Sequence, residues 1–146
     1  MTFTHLGIDI PEINTETIDG KRYYVTPTGE KYPSITTVLG HFNKAGIVEW
    51  RKRVGEKEAN RISTQASRRG TKVHQMCEDY INNELDEKKF MPSDRETFST
   101  IKDLLSDNIN NVRVQEATLY SDYLRVAGRV DCISDWNNSC LLYTSD

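Results

Sequence analysis

Apolar residues recur along this chain at two different periods, and the switch between them divides it. Ile47, Trp50, Val54, Ile62 and Ala66 fall on one stripe of an amphipathic helix predicted from about Ile47 to Ala66. Gly70 and Thr71 are predicted to end that pattern and to cap a second helix. There Val73, Met76, Cys77, Tyr80 and Ile81 keep the i, i+3, i+4, i+7, i+8 spacing. A third helix is predicted from Ser93 or Asp94 to Ile109, with Phe98, Ile101, Leu105 and Ile109 inward, after a polar loop through Met91-Pro92. The period then drops to two. Val112, Val114, Glu116, Thr118 and Tyr120 alternate with Arg113, Gln115, Ala117 and Leu119, and Tyr123 to Ser134 is rich in β-branched and apolar residues around Gly128. These read as two strands joined through Ser121-Asp122. Asp135 to Ser139 reads as a turn, and Cys140-Leu141-Leu142-Tyr143 begins a third strand.

Upstream of the helices, Lys21–Val25 and Glu30–Tyr32 flank Thr26-Pro27-Thr28-Gly29, which predicts a small β-hairpin. Pro33 to Leu39 predicts a short helix ended by Gly40. Residues 1–20 show no sustained period and read as a loosely ordered leader. Residues 21–146 then form the N-terminal part of a single domain. Helices followed by an antiparallel meander imply an α/β or α+β class, with a sheet unfinished at three strands.

A chain of 146 residues is one domain's worth, and 36% hydrophobic with 9% aromatic residues supports a packed core. No apolar run approaches the roughly 20 residues of a membrane span, and the start carries no signal-peptide pattern. The three cysteines, Cys77, Cys132 and Cys140, have no framework spacing. The chain therefore reads as soluble, unsecreted and cytoplasmic, in the host cell if its source is viral. Its net charge is −3, but the average hides an asymmetry. Between Lys44 and Lys72, nine basic residues (Lys44, Arg51, Lys52, Arg53, Lys57, Arg61, Arg68, Arg69, Lys72) stand against Glu49, Glu56 and Glu58. One basic face on an otherwise acidic chain suits a polyanion, although a solvated helix accounts for it too.

Four residues carry candidate chemistry. His74 and Glu78 are i, i+4 neighbours at the border of the apolar stripe, where they either pair locally or offer ligands. Asp131 sits in a strand, where Asp is depleted. It either pairs with Arg129 or Arg113, or serves a site. A turn at Ser121-Asp122 sets Glu116 opposite Ala127, and a looser loop centred on Tyr123-Leu124 sets it opposite Asp131; both registers put Glu116 and Asp131 on one face. Two carboxylates and an imidazole facing one cleft suit Mg²⁺ or Mn²⁺. Zinc is disfavoured because no Cys-x-x-Cys pair is present.

The order of Pro33-Ser34-Ile35-Thr36-Thr37-Val38-Leu39, Trp50-Arg51-Lys52-Arg53-Val54-Gly55, Arg69-Gly70-Thr71-Lys72-Val73-His74, Val114-Gln115-Glu116 and Gly128-Arg129-Val130-Asp131 resembles the phage exonucleases of the PD-(D/E)XK nuclease superfamily. The mitochondrial genome maintenance exonuclease is their animal relative. The resemblance, over about residues 22–135, implies a mixed sheet flanked by helices and a metal-dependent exonuclease that acts in DNA replication or repair. It implies that His74 and Asp131 hold Mg²⁺ or Mn²⁺, that Glu116 supports the same site, and that Glu78 lies nearby. It implies single-stranded DNA as the favoured partner, with Arg51, Arg53, Arg68, Arg69 and Lys72 as phosphate contacts. One departure stands out: the family's next strand carries Asp-x-Lys, and here no lysine follows Arg129. Asp146 supplies the missing acid with the lysine beyond it, in a fragment of a longer enzyme, or Tyr143-Thr144-Ser145 replaces the motif with Asp and Lys lost, or Cys140–Asp146 is foreign to the gene. The alternative reading is an inert nucleic-acid-binding module with a vestigial site.

Overall fold

The computed structural model describes residues 2–143 as a mixed α+β assembly. Three short strands open it: β1 (Asn14–Ile18), β2 (Lys21–Val25) and β3 (Lys31–Pro33), an antiparallel sheet in the order β1-β2-β3. Helices α1 (Ile35–Val54), α2 (Glu56–Ile81) and α3 (Pro92–Asn108) follow. A second antiparallel sheet, β4-β5-β6, is built from β4 (Ile109–Ser121), β5 (Val126–Trp136) and β6 (Ser139–Tyr143). Among the described residues no helix is long and apolar enough to cross a membrane. The proposed acid at Asp146, with Thr144 and Ser145, lies outside the described residues.

The helix boundaries differ from the sequence expectation at every glycine. Helix α1 runs through Gly40 instead of ending there. It stops at Gly55, whose φ of 85° and ψ of 145° are strained for any residue with a Cβ. The stripe expected on a single helix from Ile47 to Ala66 is thus split over two, and Ile47 and Ile62 stay exposed. The expected break at Gly70-Thr71 does not occur. Thr71 Oγ1 donates to the Ser67 carbonyl at 3.0 Å, the turn-back bond of a mid-helix threonine, so its hydroxyl is satisfied inside α2 and caps nothing.

The leader expected over residues 1–20 is part of the fold. Val112 N donates to Thr4 O at 2.8 Å, and Leu6 N to Val112 O at 2.8 Å, so residues 4–8 pair in parallel along β4. Phe3 is buried, and its backbone is held by Asn83 through N–H to Oδ1 at 2.7 Å and Nδ2 to the carbonyl at 3.0 Å. The main core joins Phe3 to Met76 and Ile81 of α2, Phe98 and Leu105 of α3, and Ile109, Val112 and Cys132 of the sheet. Tyr80 stands edge-on to both Phe3 and Phe98, with ring centroids 5.1 and 5.5 Å away.

In the second sheet the loop is Asp122–Arg125, longer than the expected Ser121-Asp122 turn, and β5 begins at Val126, not at Tyr123. Asp135 belongs to β5, and the turn before β6 is the pair Asn137-Asn138, with φ of 49° and 63°, suited to a two-residue hairpin. A register shift between Asn110 and Val114 bulges β4. There Asn111 and Arg113 donate to the buried Asp135 at 2.8 and 2.6 Å and hold its carboxyl below the usual range. The first sheet abuts β5 through the Ser34–Ala127 bridge and the packing of Tyr24 and Tyr32 on Ala127. The Tyr32 hydroxyl is shared between Glu30 Oε2 at 2.6 Å and Asp122 Oδ1 at 2.7 Å, which pins β3 to the β4–β5 loop.

Candidate metal centre

Gln115↔Cys132 and Ala117↔Val130 bracket the positions of Glu116 and Asp131, which therefore face one another across β4 and β5. This is the looser of the two registers allowed by parity. Glu116 has φ of 53°, a left-handed conformation in mid-strand that costs a non-glycine residue about 1–3 kcal/mol. Such a kink interrupts strand alternation, and Gln115 and Glu116, though adjacent, line the same cavity.

Helix α2 crosses in front of this pair and contributes His74. Its Nε2 lies 2.9 Å from Glu116 Oε1, and its Nδ1 3.9 Å from Asp131 Oδ2. One nitrogen and two carboxylate oxygens from three separate elements thus lie within 4.8 Å of one another. An octahedral ion with bonds of about 2.1 Å spaces its ligands roughly 3–4 Å apart, so this donor set needs to contract by less than about 1 Å to close on one. Hard oxygens with one imidazole fit a hard or borderline divalent ion, and the donor set contains no thiolate. The second oxygen of Glu116 accepts from Arg129 Nε at 2.6 Å. Arg113 donates to Asp135.

The cluster opens into a cavity of about 460 Å³ between α2, α3 and the sheet, which also takes in Cys77, Glu78, Ile101, Gln115 and Cys132. Burial, then the nearby Glu116 carboxylate, push Glu78 up, while His74 and Arg129 act in the opposite direction. Burial pushes the Cys77 thiol up to about 11 and raises Cys132 as well. Gln115 was not singled out in the sequence. Its Nε2 donates to the Glu78 carbonyl at 3.3 Å, which turns Oε1 the other way, buried and without a partner among the described residues. A strand glutamine next to Glu116 carries no signal of its own; its pairing with the buried Cys132 puts it on the inward face.

The five candidate phosphate contacts do not form one patch. Arg68 and Lys72 lie within two turns of His74, are exposed, and make no ion pair among the described residues. Arg69 reaches Thr97 Oγ1 of α3 at 3.1 Å through Nε and also through Nη2. Arg51 and Arg53 lie in the last turn of α1, before the start of α2, and the helix from Glu56 to His74 spans roughly 27 Å. Arg51 is tied to Glu56 at 2.7 Å and to Asn60, while Arg53 is exposed.

No family model matches this chain, and no curated protein matches it.

Proposed function

We propose that this chain carries a divalent-metal-dependent nuclease site of the PD-(D/E)XK type, which hydrolyses phosphodiester bonds in DNA and favours single-stranded ends. The observation that carries this reading is the convergence of His74, Glu116 and Asp131 from α2, β4 and β5 on a single point. That convergence requires a register, a backbone kink and a helix crossing to coincide, which an ordinary surface ion pair does not. Mg²⁺ or Mn²⁺ held there would polarise a phosphoryl oxygen and lower the pKa of a bound water. An imidazole among the donors leans the choice toward Mn²⁺. The chain's own residues do the rest: Glu116 and Asp131 supply negative charge that retains the ion, and His74 sets the third corner. Arg68 and Lys72, exposed residues of α2 less than two turns from His74, hold backbone phosphates of the strand that leads into the cleft.

One observation favours the second reading, a nucleic-acid-binding module without turnover: β6, Ser139–Tyr143, carries no lysine, the cation that the resemblance places on that strand. Release of nucleotides from an end-labelled single strand in Mn²⁺ separates the two. Metal-dependent release that Asp131→Ala lowers by about 10²-fold or more supports the nuclease. Strand binding with no release in either protein supports the inert module.

A further inference from the structure

Both carboxylate oxygens of Glu116 have a nitrogen partner. Oε1 meets His74 Nε2 at 2.9 Å and Oε2 meets Arg129 Nε at 2.6 Å. Strand register explains the second contact, because Arg129 pairs with Thr118 and so lies diagonally across from Glu116, within reach of a long side chain. The two partners differ in their surroundings: the Glu116 side chain is 18% exposed and that of Arg129 is 59% exposed. Arg129 therefore reaches in from solvent through Nε, and its fork of further N–H donors matches the oxygens of a phosphate.

On the premise that His74, Glu116 and Asp131 hold a divalent ion, Arg129 and that ion compete for the same carboxylate. Two cations at contact distance from one carboxylate repel each other strongly in a partly buried site. We propose that Arg129 is the resident counter-ion of the empty centre, and that metal binding at Glu116 displaces its guanidinium, which then binds the phosphate of the substrate. The lost ion pair and the gained phosphate contact balance, since each is one guanidinium on one anion. Such an exchange makes phosphate binding conditional on metal, and it puts a cation beside the centre.

The test uses calorimetric titration of MnCl₂ into the chain and into Arg129→Gln, His74→Ala and Asp131→Ala. A second titration uses the thymidine dinucleotide, whose single phosphodiester is too short to engage the basic residues of α2 as well. Arg129→Gln should bind Mn²⁺ about three- to fivefold tighter, the scale of a partly exposed ion pair, while His74→Ala and Asp131→Ala should lose it. With Mn²⁺ saturating, the unmodified chain should bind the dinucleotide about tenfold more tightly than Arg129→Gln does, and without Mn²⁺ the two should match. Arg129→Lys, a point charge without the fork, should fall between them. Mn²⁺ affinity that is unchanged or weaker in Arg129→Gln, yet lost in His74→Ala and Asp131→Ala, overturns the exchange and leaves the metal centre standing. Tighter Mn²⁺ with no effect on the dinucleotide overturns the phosphate contact and sends the freed guanidinium to Asp9 or Glu12, which share a cleft with it. No Mn²⁺ binding by the unmodified chain overturns the metal centre and this inference together.

Discussion

At the scale of single residues, the candidate centre rests on a conformation that side chains resist. Glu116, at φ 53°, is the kink that brings two consecutive β4 side chains into one cavity. Two substitutions separate backbone from side chain. Glu116→Gly and Glu116→Ala both delete the carboxylate, but only glycine is at ease at that φ, so Glu116→Gly should be the more stable by about 1–2 kcal/mol in urea denaturation. Equal stability would mean that the kink carries no strain. Asp135 gives a pH dependence of definite sign. Its hydrogen bonds from Asn111 and Arg113 depress its folded-state pKa, so its contribution is complete above the ordinary Asp value of about 4 and is lost as pH falls through the lower folded value. Acid unfolding of Asp135→Asn should therefore begin from a lower stability at neutral pH and show a shallower decline below about pH 4 than the unmodified chain.

At the scale of elements, the contrast between two glycines explains where the sequence was legible. Gly55 breaks the α1–α2 run at a φ that L side chains rarely adopt, so Gly55→Ala should cost on the order of 1–3 kcal/mol. Gly70 sits inside α2 with open space where a Cβ would go, so Gly70→Ala should raise thermal stability by up to about 1 kcal/mol. Both are read from melting temperatures, and opposite signs are expected. Nothing in the composition around either residue distinguishes them, because helix continuation is decided by packing at both ends of α2, not by local propensity. The strong periodicities fared better. The stripe Met76-Cys77-Tyr80-Ile81, the inward set Phe98, Leu105 and Ile109, and the hairpin around Thr26-Gly29 were readable because each buries against a partner that rewards the same period. Residues 3–8 were opaque because their partner, β4, lies far along the chain and no short window contains it. The candidate centre was half legible: strand parity put Glu116 and Asp131 on one face, but only the helix crossing joins His74 to them.

At the scale of the molecule, the basic cluster and a set of exposed apolar residues share helices α1 and α2. Helix α1 buries no residue, and Leu39, Phe42, Ile47 and Val48 are exposed beside a run of cations. Under the nuclease reading the two exposed cations of α2 within two turns of His74 dominate strand binding. Reversing Arg68 and Lys72 to Glu should weaken single-strand affinity on all sequences alike and make its salt dependence shallower by about 1.4 in log–log slope, two contacts at roughly 0.7 each. An unchanged slope in a salt series of fluorescence anisotropy would move the contact elsewhere. The opposite side of the fold has a different character, because there Phe3 is clasped by Asn83, 80 positions away, and His5 Nε2 contacts the Ile81 carbonyl at 2.8 Å. Closing so long a loop is entropically late, and its partner strand leaves the ribosome only after all three helices. Residues 3–8, made early, are thus among the last to fold, and until then Phe3 is uncovered and the outer edge of β4 has no strand beside it.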